Sequence, residues 1–355
     1  MKLVREHCPE FCLLLNCCRW NFATGRDERP SIRTDLNWVY FARLARFHLV
    51  QGLAWNALAP NANRIPQIEA EQLSSDARAI AATNLGIAHE CASLYSEFAK
   101  SGLPILFVKG LTVGALSYRS PMLKMGWDID VLIDPANLSE AADILLARGF
   151  SLRLPAGLAE LPSWHSRSKE SVWGRADGVH VELHTRLVDN RAFLPSVDVN
   201  SPSQIIEVTR GVNLPTLAKD ELLAYLCVHG ASSAWFRLKW ISDFAALLHP
   251  LHADELQRLY DRSQELGAHR AAAQAFLLAD ALYGSLDGTN LRARLSEDRS
   301  NLRLAESAFR QVTKSREPTS TPLGTWRIHL TQLLLKPGLG FKVSEAARQL
   351  SAALA

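Results

Sequence analysis

Apolar positions recur every three to four residues over the first hundred residues, which is the helical period. In "NLGIAHECASLYSEFAKSG" Ile87, Cys91, Leu94 and Phe98 share one helix face, and Gly102 ends the segment. Upstream, Asp35 stands as N-cap to a helix over "LNWVYFARLARFHLVQGLAWNAL". The period then changes. Pro104 leads into the apolar run Ile105 to Val108, a buried strand closed by Gly110, and the short helix "LTVGALSY" and the loop "RSPMLKMG" follow. In "GWDIDVLID", residues 126–134, the period is two: Ile129, Val131 and Ile133 face one way, Asp128 and Asp130 the other. Asp134-Pro135 predicts a capped helix start for "ANLSEAADILLARG", with Leu138, Ala142 and Leu145 on one side. Strand-like pieces recur at "FSLRL", "SVWGRA" and "VHVELHTRL".

Beyond Pro202 the pattern predicts helices at "KDELLAYLCVHGA", "AWFRLKWISDFAALLH", "ADELQRLYDRSQELG" and "RAAAQAFLLADALYG". "KSREPTSTPLGT" reads as an exposed loop before an alanine-rich final helix. The layout is a helical region over 1–102, an α/β core over 103–200 and a helical region over 201–355, hence α+β with flanking helices. The 355 residues suffice for two or three domains.

Composition narrows the partners. With 39 Lys+Arg against 36 Asp+Glu the net charge of +3 gives no electrostatic case for nucleic acid or a membrane surface. No window reaches the ~18 apolar residues of a membrane span, and "MKLVREHCPEFCLLLNCCRW" reads poorly as a secretory leader, so the cytoplasm is expected. The cysteines, Cys8, Cys12, Cys17, Cys18, Cys91 and Cys227, form no C-x-x-C pair and are expected as free, mostly helix-buried thiols.

The candidate chemistry lies on two strands. Asp128 and Asp130 stand about 6.8 Å apart along theirs, a spacing that lets their carboxylates flank a pair of cations. "VHVELHTRL" puts His180, Glu182, His184 and Arg186 on one face, from which Glu182 offers a third carboxylate. Oxygen ligands of this kind suit Mg²⁺ or Mn²⁺ and phosphoryl or nucleotidyl transfer. The bland alternative is a pair of solvated strand surfaces. Repulsion in an empty metal site predicts that Asp128→Asn and Asp130→Asn leave the fold intact or slightly more stable.

"VKG…DIDVLID…VELH" resembles a bacterial nucleotidyltransferase family of the DNA polymerase beta-like fold, and the resemblance runs from about Cys12 to Leu248. It implies a nucleotidyltransferase-type mixed sheet, Mg²⁺ or Mn²⁺ on Asp128, Asp130 and Glu182, a nucleoside triphosphate substrate and a small-molecule or peptide acceptor. The wider superfamily has Gly-Ser where this chain has Lys109-Gly110. Thr112 is the candidate to replace the serine hydroxyl. Lys109, Gly110, Thr112, Arg119 and Lys124 are the nucleotide-binding candidates, Lys109, Arg119 and Lys124 facing the phosphates, and the alternative for Lys109 is a solvated strand end. His184, His229, Arg237 and Lys239 are acceptor-binding candidates. For the cluster of His229, Trp235, Arg237, Lys239, Trp240 and Asp243 the competing reading is core tryptophans with a Lys239–Asp243 helical ion pair. Absent are the Pro-Cys-x-x-Cys of a zinc deaminase, a Walker loop, H-E-x-x-H and G-x-S-x-G. The rival class is a non-catalytic binding protein that keeps the fold, a reading the missing serine favours.

Overall fold

The computed structural model describes residues 7–23, 29–315, 317 and 325–354. Four helices come first: α1 (Pro9–Trp20), α2 (Trp38–Phe47), α3 (Gln51–Leu58) and the long α4 (Gln67–Lys100). The α/β part follows as β1 (Ile105–Phe107), α5 (Leu111–Ser117), β2 (Asp128–Ile133), α6 (Leu138–Ala147), β3 (Ser151–Leu154), α7 (Leu161–Arg167), β4 (Glu170–Gly174) and β5 (His180–His184). A hairpin, β6 (Ser203–Thr209) and β7 (Val212–Leu217), precedes α8 (Lys219–Ser232), α9 (Leu238–Leu248), α10 (Ala253–Glu265) and α11 (Arg270–Tyr283). Then come α12 (Leu291–Ser296), α13 (Arg299–Val312), α14 (Trp326–Gln332) and α15 (Leu339–Leu354).

Five strands form one mixed sheet in the order β1-β2-β5-β4-β3, in which β2 and β5 are parallel and the other pairs antiparallel. One face carries Ile129, Val131, Ile133, Val181 and Leu183, buried against Ile87, Cys91, Leu94 and Phe98 of α4 and Leu138, Ala142 and Leu145 of α6. Each such side chain is worth roughly 1.5–3 kcal/mol when fully buried, so this face fixes the strand register. On the opposite face Leu106 and Leu132 join the core that α1, α8, α9 and α11 share. The fold is mixed α+β with helices on both sides of the sheet.

Three local expectations change. The long helix expected from residue 36 is two, because Leu49 adopts φ +58 and breaks it. Its cap is Asn37, whose Oδ1 accepts the Tyr40 N–H at 2.9 Å, while Asp35 pairs with Arg33. The segment after Pro202 begins with the β6–β7 hairpin and not a helix; it turns at Gly211 and buries Val208 and Leu214 in the α4-side core. The Asp134 cap is as expected, its Oδ1 accepting the Ala136 N–H at 2.8 Å. Cys17, Cys18, Cys91 and Cys227 are free and buried. The loop expected at 314–325 lies mostly outside the described residues, and no described helix is long and apolar enough to cross a membrane.

Candidate active site

Period two along β2 and β5 sets the site. In the parallel pair Asp130 stands opposite Glu182 and Asp128 opposite His180, so one sheet face carries all four polar side chains. This face looks into a cavity of about 570 Å³, whose far wall is built by His229 on α8 and by Lys239, Trp240 and Asp243 on α9. Asp128, Asp130, Glu182, Lys109, Gly110 and Lys124 line the near side; His329 and Gln332 of α14 and Glu345 and Arg348 of α15 close another.

Burial decides the electrostatics. The Asp130 side chain is only 2% exposed, touches the Lys109 ammonium and lies 3.2 Å from His184 Nε2. Burial pushes its carboxyl up, but Lys109 and then His184 outweigh that and hold it well below the usual range. Lys109 also lies 3.6 Å from Glu182 Oε2 and is 16% exposed, so it is not a solvated strand end. Burial pulls its ammonium down, and the charge of Asp130 above all reverses this. Glu182 is pushed up by burial. His184 is fully buried, with Glu170 Oε2 at 3.2 Å and Glu182 Oε2 at 3.5 Å from the same Nε2. Three carboxylates around one nitrogen place the ring proton there, leaving Nδ1 without a hydrogen-bond partner among the described residues.

Three ligand atoms, one each from Asp130, Glu182 and His184, lie within 4.8 Å of one another, a grouping that could hold a metal ion. Asp128 lines the same cavity outside that trio. Gly110 caps α5 with φ +63, a conformation that glycine adopts without strain, which accounts for a glycine beside Lys109.

The loop bearing Lys124 is fastened from two helices. Asn84 on α4 donates to the carbonyls of Pro121 (3.3 Å), Met122 (3.2 Å) and Lys124 (2.7 Å), and a Cβ on Gly52 of α3 would stand 2.4 Å from the Leu123 carbonyl oxygen. Lys124 thereby meets Asp243 at 3.3 Å, and Tyr118 donates to the same carboxylate at 2.8 Å. Asp243 is therefore held by Lys124 and not by its helical neighbour Lys239. Burial, with Lys124 nearby, lowers the Lys239 ammonium to about 8.

Other candidates point elsewhere. Thr112 Oγ1 donates to the carbonyls of Phe107 (3.0 Å) and Lys109 (3.1 Å), tying down the turn after β1. Arg119 donates to the Trp20 carbonyl at 3.1 Å and stacks on that indole. Arg237 donates to the Phe47 carbonyl and pairs with Glu317. None of the three lines the cavity. Trp235 is core, whereas Trp240 is half-buried and reaches the cavity wall.

Sequence reasoning passes over Glu170 and Lys169, which pair with each other at the cavity edge. The signal was the Asp177-Gly178 turn: a hairpin closed there sets Glu170 opposite His184. The final helix, α15, was expected from its alanine-rich sequence, but nothing in the chain signalled that it and α14 wall the cavity.

A family model described as an uncharacterised nucleotidyltransferase matches residues 34–284. The chain belongs to this family. Comparison with curated proteins finds no match. Membership in this nucleotidyltransferase family implies a nucleoside triphosphate as substrate, and the matched span contains both acid strands and the lysines around them.

Proposed function

We propose that this nucleotidyltransferase family member transfers a nucleoside monophosphate from a triphosphate to the hydroxyl of a small-molecule or peptide acceptor, with divalent-metal assistance. The observation that carries the reading is the pairing of Asp130 with Glu182 across parallel strands, beside Asp128, in a cavity ringed by Lys109, Lys124, Lys169 and Lys239.

The donor set fits a hard cation. Asp128, Asp130 and Glu182 provide oxygen ligands, while the His184 Nε2 proton is engaged by carboxylates. When bound, such an ion supplies charge neutralisation to the phosphates and acidifies an acceptor hydroxyl. The rest falls to the chain. Lysines that line one cavity with the acids receive the triphosphate tail, and the Trp240 and His229 rings, 5.7 Å apart, offer an apolar edge to a base or acceptor. In the step itself the acceptor oxygen bonds to the α-phosphorus, the α–β bridging bond breaks, pyrophosphate leaves with the electron pair, and the hydroxyl proton passes to a carboxylate of the acid face.

A second reading has one specific observation in its favour: Lys109 already neutralises Asp130 without a metal, as in a binding protein that keeps the fold. Incubation with each triphosphate, labelled at the α or the γ position, with Mg²⁺ or Mn²⁺ and a cell extract separates the two. Transfer of α-label, lost in Asp128→Asn, is the expected result. Transfer of γ-label alone would replace nucleotidyl by phosphoryl transfer, and no transfer of either label would favour the binding protein.

A further inference from the structure

We propose that Lys109 is an exchangeable internal cation, which holds Asp130 and Glu182 while no divalent ion is bound and is released toward the triphosphate when one displaces it. This rests on the nucleotidyltransferase reading and adds an order of events to it.

The geometry supplies the reason. The Lys109 ammonium touches Asp130 and lies 3.6 Å from Glu182, so it occupies the electrostatic position between the two carboxylates that a metal would need. A divalent ion and an ammonium cannot share one buried carboxylate without strong like-charge repulsion. One of them has to leave. A metal remains only where several oxygens hold it, and Asp128, with no ion-pair partner within 4.0 Å among the described residues, is a further oxygen donor on the same face. Lysine carries its charge on a flexible four-carbon stem and can swing, whereas the acids are fixed by strand register. The cavity that Lys109 lines is where the swing ends, with the phosphates as the next available anions.

The other cavity lysines are placed differently. Lys124 is engaged with Asp243 and Lys169 with Glu170, while Lys239 has no carboxylate within 4.0 Å among the described residues. Lys239 is therefore the internal control: it contributes the same charge to the cavity without touching Asp130 or Glu182.

Mn²⁺ binding without nucleotide, followed by electron paramagnetic resonance and calorimetry, tests the exchange on the full chain. Lys109→Gln should bind Mn²⁺ at least tenfold more tightly than wild type, Lys109→Arg no more tightly, and Lys239→Gln only slightly more tightly. Asp130→Asn should lose the site. In the wild-type protein, so that no variant need fold, mass-mapped acetylation of Lys109 should accelerate when Mn²⁺ is added. Equal Mn²⁺ affinity in Lys109→Gln and wild type, an equal gain in Lys239→Gln, or unchanged Lys109 acetylation on Mn²⁺ binding overturns the exchange. If these occur while Asp130→Asn still abolishes binding, the metal-dependent reading stands without it. Absence of Mn²⁺ binding by every protein overturns both.

Discussion

Replacing Asp130 by Asn in metal-free protein should cost far more stability than the same change at Asp128. From the chain alone the two aspartates look equivalent, and relief of repulsion predicts a neutral or stabilising effect at both. The structure separates them. Asp130 is buried against the Lys109 ammonium and 3.2 Å from His184 Nε2, so Asn leaves a largely buried cation with only Glu182 at 3.6 Å. Removing one partner of a buried pair costs about 3–5 kcal/mol; the surviving Glu182 and the partial exposure of Lys109 reduce this to roughly 2–4 kcal/mol. Asp128 is half-buried and outside any such pair among the described residues, so Asp128→Asn should change stability by no more than about 0.5 kcal/mol. Urea midpoints followed by circular dichroism at pH 7 in chelator measure both. Equal midpoints for the two variants, or an Asp130→Asn as stable as wild type, would refute the assignment of Lys109 to Asp130.

Two further predictions concern what surrounds the site. His48 is fully buried, its Nδ1 accepts the Leu238 N–H at 3.2 Å, and burial aided by Arg237 lowers its pKa to about 3. Below pH ~6.5 the unfolded chain binds this proton and the folded one does not, so stability falls with pH by up to about 1.4 kcal/mol per unit until the pH nears 3. Urea midpoints between pH 6 and 4 should decline less steeply in His48→Gln than in wild type; parallel profiles would exclude His48 as a source. Gly52→Ala drives a Cβ into the Leu123 carbonyl and should cost roughly 1–3 kcal/mol, with weaker triphosphate binding because the Lys124 loop shifts. A thermal melt and a calorimetric titration check the two effects.

How much was readable follows from which interactions are local. Alternation in "DIDVLID" and "VHVELH" assigned Asp128, Asp130 and Glu182 to polar faces because a strand's period is a property of the backbone, and the apolar alternates found the α4–α6 core. The Asp134 cap was legible for the same reason. Leu49 was not, since nothing in its own chemistry announces a positive φ. The β6–β7 hairpin was hidden beside strongly helical neighbours, although Gly211 and the Ile205, Val208 and Leu214 residues carry a strand composition. Long side chains were the least legible. Arg119 finds Trp20, Arg237 finds Phe47 and Glu317, and Lys109 finds Asp130 through contacts that no spacing encodes.

The parallel pairing of β2 with β5 has a consequence for how the protein comes to be. Parallel neighbours need a crossover, and here α6, β3, α7 and β4 all lie in the chain between Asp130 and Glu182. Loop-closure entropy delays such non-local contacts until the intervening elements have folded. The Asp130–Glu182 pair is therefore expected late in folding: the β4–β5 hairpin can form from nearby residues and gathers Glu170 and Glu182 about His184, but Asp130 joins them only when β2 docks. A nicked or partly refolded chain that retains most of its helical signal but has lost the β2–β5 contact keeps every acid without the Asp130–Glu182 pairing, so the cation binding proposed above would report the completed core more faithfully than helicity does.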